Sequence, residues 1–306
     1  MLCVRNSLCS PDNIHAEGNA EYITWQSLQA MAIFLRNQQL PRLLSTLQNT
    51  RKANRIRGEI ISKLRSVITD YDFIVDRWPD YRALVARVNP VTAKYPKHLD
   101  MASSVYATDS GALETILQTT HVIDWASKVG FAGVYTYEMP AVVNAMQKHN
   151  RQHYMDLHFD MKVTEKTLKP WSVPYGFKIR SLVPEQAPLV NSMWPHNDGI
   201  HSEPYIKELI SKQPSCCLYN RESSLVGYAL VYHYGYLGCL HVLKEHRRKG
   251  YGELITSHLA ALCLQQMEEV HANVLEDNIA SIALCKNVGF VQDQDSCWWI
   301  GTHGSE

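Results

Sequence analysis

The stretch Arg247-Arg248-Lys249-Gly250-Tyr251-Gly252 decides the fold, because it joins a strand-like run to a long amphipathic segment. Before it, Leu237 to Val242 is short and mostly apolar, which predicts a strand. After it, apolar residues from Tyr251 to Cys263 recur at the three- and four-residue spacing of a helical face. A glycine turn that enters a helix presents backbone N–H groups at the positive end of the helix dipole. The stretch therefore predicts a site for a pyrophosphate between a strand and a helix.

A second strand and a shorter helix follow the long helix. Val270 to Leu275 alternates apolar and polar residues, with Ala272 as a small inward position, which predicts a strand. Asp277-Asn278 supplies side chains that cap a helix start, and Gly289 marks the end of that helix. The predicted order is therefore strand, phosphate turn, helix, strand and helix.

Two other phosphate-binding motifs fit this sequence less well. A dinucleotide fingerprint needs G-x-G-x-x-G and an acidic residue about twenty residues later, and no such turn is present. A P-loop needs Gly-Lys followed by Ser or Thr, which is also absent. The alternative is that this strand–helix unit binds no ligand and that its glycines only allow tight packing.

The order of elements and the motif resemble the central half of the GNAT acyltransferase superfamily. Eight positions match its two patterns: Val242, Arg247, Gly250 and Gly252 in the phosphate turn, then Asn278, Leu284, Gly289 and Phe290. Ser281 replaces an alanine of that pattern, and Cys285 replaces a tyrosine that belongs to the chemistry. The resemblance implies an α+β fold of the α/β-type GNAT kind, with a mixed central sheet flanked by helices, and acyl-CoA as donor substrate.

Three further segments are similar, in the same order, to segments of the glycine N-acyltransferase family. They are Val75 to Tyr81, Val122 to Trp125, and Val190 to Trp194 followed by Gln213 to Leu218. This similarity covers most of the chain from about residue 60 onward. It implies an acyl-CoA donor, an amino acid or related amine as acceptor, and an N-terminal half that is a degenerate GNAT-like lobe.

The best candidate linker is residues 166–176, which contain two prolines and a glycine. It separates a predicted N-terminal α/β lobe, residues 1–165, from a predicted GNAT domain, residues 177–306. In the N-terminal lobe, periodicity predicts helices at Leu28–Leu47, Ile56–Val67, Ser110–Thr119 and Met139–Lys148. It predicts strands at Phe73–Val75, Tyr81–Val88 and around Val105-Tyr106. No convincing internal repeat is visible in the sequence.

The donor site is predicted to use main-chain groups and a few cations. Backbone N–H groups near Val242 and Leu243 are the candidates for the thioester oxygen and the pantetheine arm. The diphosphate is expected at residues 248–252, with added charge from Arg247 and Lys249. The cofactor-binding prediction comprises Val242, Leu243, Arg247, Arg248, Lys249, Gly250, Tyr251, Gly252 and Asn278.

The catalytic residues are harder to predict from the sequence. The resemblance implies a glutamate eleven residues before the arginine position, but this chain has Tyr236 there. An unperturbed tyrosine is a poor base at neutral pH. His241 has a better ordinary pKa, although strand alternation places it on the face opposite Tyr236. Cys285 is a candidate acid for the departing thiolate, with plain packing as its alternative. Further candidates are His233, Glu245 and deprotonation relayed by water.

Composition narrows the class of protein. The formal net charge is +0 and the sequence pI is about 7.2, so no nucleic-acid partner is expected. No apolar run is long enough for a bilayer, so no membrane partner is expected either. The eight cysteines lack metal-ligand spacing, which predicts free thiols and no metal. Met1 to Arg5 does not resemble a secretory signal, which leaves cytoplasmic and mitochondrial locations both open.

The sequence supports three functional hypotheses. The first is an N-acyltransferase that moves an acyl group from acyl-CoA to a small amine or an amino acid such as glycine. The second is an acyl-CoA-binding or regulatory protein whose catalysis has lapsed, because the family glutamate and tyrosine are both replaced. The third is acetylation of a protein terminus or a lysine. The oligomeric state is not predicted.

Overall fold

A computed structural model describes residues 32–95 and 102–302 of the chain. The prediction for Met1 to Arg5 and the first four residues of the helix predicted at Leu28–Leu47 lie outside these ranges. So do the thiols predicted for Cys3 and Cys9.

The described part of the N-terminal half contains six strands and four α-helices. They are β1 (Ile33–Phe34), α1 (Leu40–Thr46), α2 (Asn54–Leu64), β2 (Tyr71–Val75), β3 (Ala83–Val88), β4 (Ser104–Ala107), α3 (Ser110–Gln118), β5 (Gly130–Tyr135), α4 (Met139–Lys148) and β6 (His153–Thr164).

The C-terminal half repeats the same order of elements. They are β7 (Lys178–Arg180), α5 (Ala187–Met193), α6 (Glu203–Lys212), β8 (Ser215–Tyr219), β9 (Leu225–Val231), β10 (Leu237–Val242), α7 (Tyr251–Leu264), β11 (Glu269–Leu275), α8 (Ile279–Val288) and β12 (Val291–Thr302). Each half therefore runs strand, two helices, three strands, helix, strand, helix and strand. This is a structural repeat that the sequence does not display.

The two halves exchange their last strands. The described strands form three four-stranded sheets, in the orders β1-β2-β3-β4, β10-β9-β8-β7 and β11-β6-β12-β5. In the third sheet β6 pairs with β11 and β12 pairs with β5, so each half completes the other. Residues 165–177 contain no helix or strand. The domain division at 166–176 stays a prediction, while the shared sheet joins the two halves.

The apolar cores follow the same plan. One core combines α1, α2, β2 and β3 with α5, α6, β8 and β9, so it is common to both halves. A second lies between α7, α8 and the shared sheet, and a third lies under α3 and α4. These last two cores receive exchanged residues, Met161 and Val163 in one and Ile300 in the other. Burial of apolar surface therefore stabilises the halves as one unit.

The α+β fold is confirmed, and so are most of the predicted elements. The predicted strand Leu237–Val242 and helix Met139–Lys148 have the observed bounds. The helix predicted at Leu28–Leu47 is wrong at Ile33 and Phe34, which pair with Val75 and Ile74. Strands β5 and β6 were not predicted. Among the described residues, the parallel part of the predicted mixed sheet is confined to a bridge between Ser103 and Phe131.

The close approach of the two halves at α2 predicts an effect on stability. A Cβ atom on Gly58 of α2 would overlap the carbonyl oxygen of Tyr234 in the other half. In an open helix Gly→Ala stabilises by about 1 kcal/mol. Gly58→Ala is instead expected to destabilise by about 1–3 kcal/mol, because neighbouring backbone has to move. Thermal unfolding measures this, with Gly111→Ala at an exposed position of α3 as the control that loses no stability. A raised Tm for Gly58→Ala would contradict this packing.

Candidate active site

The turn before α7 has the backbone geometry of an anion site. Gly250 is the N-cap residue of α7 with φ 76°, and Arg248 has φ 63°. Left-handed residues in such a turn direct neighbouring N–H groups into one concave surface. The first N–H groups of α7 add to it, because they have no partner within the helix. The turn at the predicted pyrophosphate site therefore has a backbone conformation that suits an anion.

Side chains around this turn add positive charge and fix its position. Arg247 Nε donates to Val242 O at 2.9 Å, and Lys249 Nζ donates to Glu245 O at 3.1 Å. Arg248 is exposed. A Cβ atom on Gly252 would lie 2.7 Å from Leu284 Cδ1, so glycine there lets α7 pack closely on α8. The start of α8 is thereby held beside the turn.

Strands β10 and β11 lie next to each other without forming one sheet. Within the described sheets, β10 is the edge of one and β11 is the edge of another. Strand β10 also bulges between Gly238 and His241, where Cys239 has φ 47°. The unpaired edges and the bulge open a gap between two sheets, and edge N–H groups in such a gap can bind an extended ligand.

The two predicted N–H donors at the end of β10 differ in their availability. The Leu243 N–H donates to Val226 O at 2.9 Å, which corrects its predicted role as a donor to the ligand. Alternation along an antiparallel pair then directs the Val242 N–H away from β9 and into the gap. Val242 is therefore the residue whose main chain can meet an acyl-CoA.

A cavity of about 490 Å³ begins in this gap and extends to the surface shared by the two halves. Residues 237–240 of β10 and 272–275 of β11 line one end, together with Asn278, Ser281, Leu284 and Cys285 of α8. The other end is lined mainly by aromatic and polar side chains. They are Tyr154, Asp156, His158, Tyr234, Tyr236 and Trp299. Apolar and polar side chains therefore both line the cavity, and residues 247–252 of the phosphate turn are not among the lining residues.

Tyr236, the residue at the family glutamate position, lines the cavity but cannot act as a base near neutrality. Its ring stacks on His271 with centroids 5.1 Å apart. Burial raises the pKa of Tyr236 well above its ordinary value, and the nearby Asp160 charge raises it further. The phenol therefore keeps its proton and can only donate it in a hydrogen bond.

Behind Tyr236 lies a charged network that the sequence did not reveal. His271 Nδ1 is 3.2 Å from Asp160 Oδ1, and His271 Nε2 is 3.0 Å from Glu269 Oε1. Burial alone would lower the pKa of His271, but hydrogen bonds to both carboxylates and their charges raise it to about 9. Tyr135 donates its OH to Asp160 Oδ2 at 3.2 Å. His271 is therefore an imidazolium held between two strands of the shared sheet.

The other predicted catalytic residues, and the predicted cofactor ligand Asn278, differ in whether they line the cavity. His241 is not among the cavity-lining residues, and its ring stacks on Tyr228 at 5.9 Å. Cys285 lines the cavity, and burial raises the pKa of its thiol to about 11. Asn278 lines the cavity and caps α8, where its Oδ1 accepts the Ser281 N–H at 3.1 Å. The structure brings Tyr236, Cys285 and Asn278 to one cavity and leaves His241 outside it.

Several polar residues of the cavity were not predicted from the sequence, among them one each on β6, β12 and α7. His158 belongs to β6, Trp299 to β12 and Thr256 to α7. Trp299 Nε1 and Thr256 Oγ1 are buried without a hydrogen-bond partner in the described part of the chain. No local motif indicates that His158 and Trp299 line the cavity, because β6 and β12 reach it only through the strand exchange.

The corresponding turn of the N-terminal half lacks the anion site. Only two residues separate β4 from α3, and Asp109 caps that helix by accepting the Ala112 N–H at 2.9 Å. Hydrogen bonds from the backbone, that of Ala112 foremost, together with the Arg82 charge lower the pKa of Asp109. A carboxylate thus stands where a diphosphate would need free amides, which does not favour an anion at this turn.

Comparison with known proteins decides the family. The model of the family described as "Aralkyl acyl-CoA:amino acid N-acyltransferase" matches residues 31–214, and that of the FR47-like proteins matches residues 216–299. The chain belongs to the aralkyl acyl-CoA:amino acid N-acyltransferase family. A curated relative, the glycine N-phenylacetyltransferase of Bos taurus, is 24% identical over 217 residues, which cover 64% of this chain and 72% of the relative.

Two solved structures have the same fold. A Drosophila protein matches with a TM-score of 0.76 at 19% identity, over 89% of this chain and 98% of that one. A tandem GNAT protein from the clavulanic acid biosynthesis pathway matches with a TM-score of 0.59 at 14% identity, over 90% and 99%. The match along both halves agrees with the repeated order of elements.

Membership of this family makes the protein an acyl-CoA-dependent transferase that acylates amines. Within residues 32–95 and 102–302, no three or more His, Cys, Asp and Glu side chains are grouped to hold a metal ion. In the same residues, every helix is too short or too polar to span a bilayer.

Proposed function

We propose that the protein transfers an acyl group from acyl-CoA to the amino group of a small amino acid, such as glycine. The observation that carries this proposal is the cavity of about 490 Å³, which connects the β10–β11 gap to a polar chamber between the halves. Such a volume is within the range of small-molecule sites and suits a thioester end together with a small acceptor. The printed name of the bovine relative supports an amino-acid acceptor.

On the donor side, the diphosphate binds the N–H groups of residues 248–252. The pantetheine arm passes the Val242 N–H and enters the gap between β10 and β11. The thioester then lies in the cavity beside the bulge of β10 and near Cys285. Because the pKa of the Cys285 thiol is raised to about 11, that thiol is a weak acid, and we assign it a packing role beside the leaving sulfur.

On the acceptor side, the chamber suits a small carboxylate-bearing molecule. Trp299 Nε1–H is a buried donor without a partner among the described residues, and it lines the cavity. The Arg55 guanidinium lies 5.3 Å from the Trp299 ring and 3.7 Å from that of Tyr234. Arg55 forms an ion pair with Glu59, with Nε 3.2 Å from Oε1, and burial raises the pKa of the Glu59 carboxyl to about 7. The nearby guanidinium and the unpartnered indole N–H both favour an acceptor carboxylate.

Trp299→Phe tests the acceptor half of the proposal. The change removes the N–H donor and keeps an aromatic ring, so one hydrogen bond to a charged group is lost. That loss is expected to raise the KM for the amino acid about 10-fold or more, with the KM for acyl-CoA within about 2-fold of wild type. Trp298→Phe is the matched control, because Trp298 packs in the core under α3 and α4. Equal rises in both KM values would contradict the assignment.

The proposed reaction itself is tested by following release of the CoA thiol. Purified protein is incubated with short, branched and aromatic acyl-CoAs against a panel of amino acids, other amines, peptides and lysine-bearing proteins. Release with small amino acids and formation of the N-acyl product by mass spectrometry is the expected result. Release only with peptides or proteins would favour a protein acetyltransferase. Binding of acyl-CoA with no release for any pair would favour a binding protein without catalysis.

A further inference from the structure

The acceptor amine must lose its proton before it attacks, and the family position for this task holds Tyr236. Tyr236 stays protonated, as its burial requires. Two other buried histidines are engaged at both nitrogens, His271 with two carboxylates and His233 with Tyr205 and Tyr71. His241 does not line the cavity.

We propose that His158 of the exchanged strand β6 is the general base that deprotonates the acceptor amine. This inference rests on the proposed function, because it names the base of that same reaction. It also gives the strand exchange a catalytic meaning, since a residue of the N-terminal half completes the site of the C-terminal half.

The position of His158 meets the geometric requirement for a base. It lines the cavity, and its register partner on β11 is Leu275, which lines the cavity beside the start of α8. Neighbouring strands lie about 4.8 Å apart, so His158 is one strand from the donor gap. Its ring packs against Trp299 with centroids 5.2 Å apart. The indole that is proposed to hold the acceptor carboxylate is therefore adjacent to the imidazole.

The hydrogen bonds of His158 select the reactive tautomer. Nδ1 lies 3.2 Å from the carbonyl oxygen of Asp156, which can only accept, so Nδ1 carries the hydrogen. Nε2 then keeps its lone pair, since the Nδ1 contact is the one hydrogen bond of this ring within the described residues. A neutral imidazole with one fixed N–H and one open lone pair is the form that takes a proton.

The charges around His158 keep it neutral. Burial lowers the pKa of His158, and Arg55 of α2 and His196, which follows α5, lower it further. The Asp156 carbonyl and the Asp156 charge oppose this shift, and the net change is downward. The side chains nearest to it from β12 and β11, Trp299, Cys297 and Leu275, carry no charge, because burial raises the pKa of the Cys297 thiol.

The proton balance of the reaction is simple. The acceptor ammonium gives one proton to His158 Nε2, and the free amine attacks the thioester carbon. The C–S bond breaks as the C–N bond forms, and the second nitrogen proton goes to the CoA thiolate. His158 finally releases its proton to solvent, so acyl-CoA and ammonium become amide, CoA thiol and a proton.

His158→Gln tests this role in the full-length protein with acetyl-CoA and the best acceptor of the panel. A lost general base is expected to lower kcat/KM about 100- to 10,000-fold. Wild-type kcat/KM should fall as the pH drops through the His158 ionisation, and the variant should lose this dependence. Acetyl-CoA affinity by calorimetry should stay within about 2-fold of wild type. His241→Gln is the matched control and keeps the wild-type profile.

Two further results distinguish failure of the role of His158 from failure of the proposed function. If His158→Gln unfolds, the rate of His158→Ala is measured with and without added imidazole. Imidazole is expected to restore the rate of this variant. A wild-type rate and pH profile in His158→Gln, or no rescue of an inactive folded His158→Ala, overturns the role of His158 alone. Absence of transfer by the wild-type protein with every acceptor overturns the proposed function together with this inference.

Discussion

Gly250→Glu is expected to weaken acyl-CoA binding at least about 100-fold. Gly250 has φ 76°, a conformation that costs a residue with a Cβ about 1–2 kcal/mol. The new side chain would also meet Trp171, because a Cβ atom at this position lies 3.2 Å from Trp171 Cζ3. A carboxylate beside the diphosphate adds like-charge repulsion. Together these effects amount to about 3 kcal/mol or more of lost binding free energy.

Calorimetric titration with acetyl-CoA measures this effect, and Gly199→Glu is the matched control. Gly199 also has a positive φ, 55°, and a Cβ atom there meets nothing within 4 Å. The control therefore carries the same backbone strain and the same charge away from the donor turn, and it should bind like wild type. Unchanged affinity of Gly250→Glu would contradict the placement of the diphosphate.

Asp160→Ala is expected to destabilise the fold by about 3–5 kcal/mol. Asp160 is buried, with an exposed fraction of 1%, and accepts hydrogen bonds from His271 and Tyr135. Removing one partner of a buried charge leaves that charge less compensated, here with Glu269 as the remaining carboxylate. The affected residue is the His271 imidazolium on the neighbouring strand of the shared sheet.

The same pair gives a pH signature with a defined sign. The pKa of His271 is raised from 6.5 to about 9, so its contribution to stability is complete below pH 6.5 and is lost as the pH rises through 9. The free energy of unfolding from His271 should fall over this window by an amount on the order of 3 kcal/mol. In Asp160→Ala this fall should shrink, because the stronger partner of the imidazolium is gone.

Urea denaturation at pH 6.5 and pH 9 measures both effects. Asp156→Ala is the control, since it is the same change four residues earlier on β6 at an exposed position. The control should lie within about 0.5 kcal/mol of wild type. A loss below 1 kcal/mol for Asp160→Ala, or an unchanged pH dependence, would show that His271 is not held as a buried cation.

Local elements near the site could be predicted from the sequence because each is defined by near neighbours. The glycine turn at Gly250, the apolar face of α7 and the Asn278 cap of α8 all depend on residues within a few positions. Helix α4 and strand β10 were predicted to the residue for the same reason. At Ile33 and Phe34 the apolar period suggested a helix, but pairing with β2 prevailed.

The features of the site that could not be predicted depend on strand pairings between residues far apart in the sequence. His158 and Trp299 lie in one cavity because β6 and β12 pair across the two halves, and no local pattern specifies such a partner. The replacement at Tyr236 was visible in the sequence, but its stacking on His271 was not. The availability of Val242 and the loss of Leu243 likewise follow from the register of β9 and β10.

A crystal structure of the complex with an acyl-CoA would locate the bound donor. We expect the diphosphate within hydrogen-bonding distance of the N–H groups of residues 248–252 and the pantetheine arm between β10 and β11, with the acyl end in the cavity. Density for the ligand beside β4 and α3, or at any site that leaves the β10–β11 gap empty, would contradict this placement.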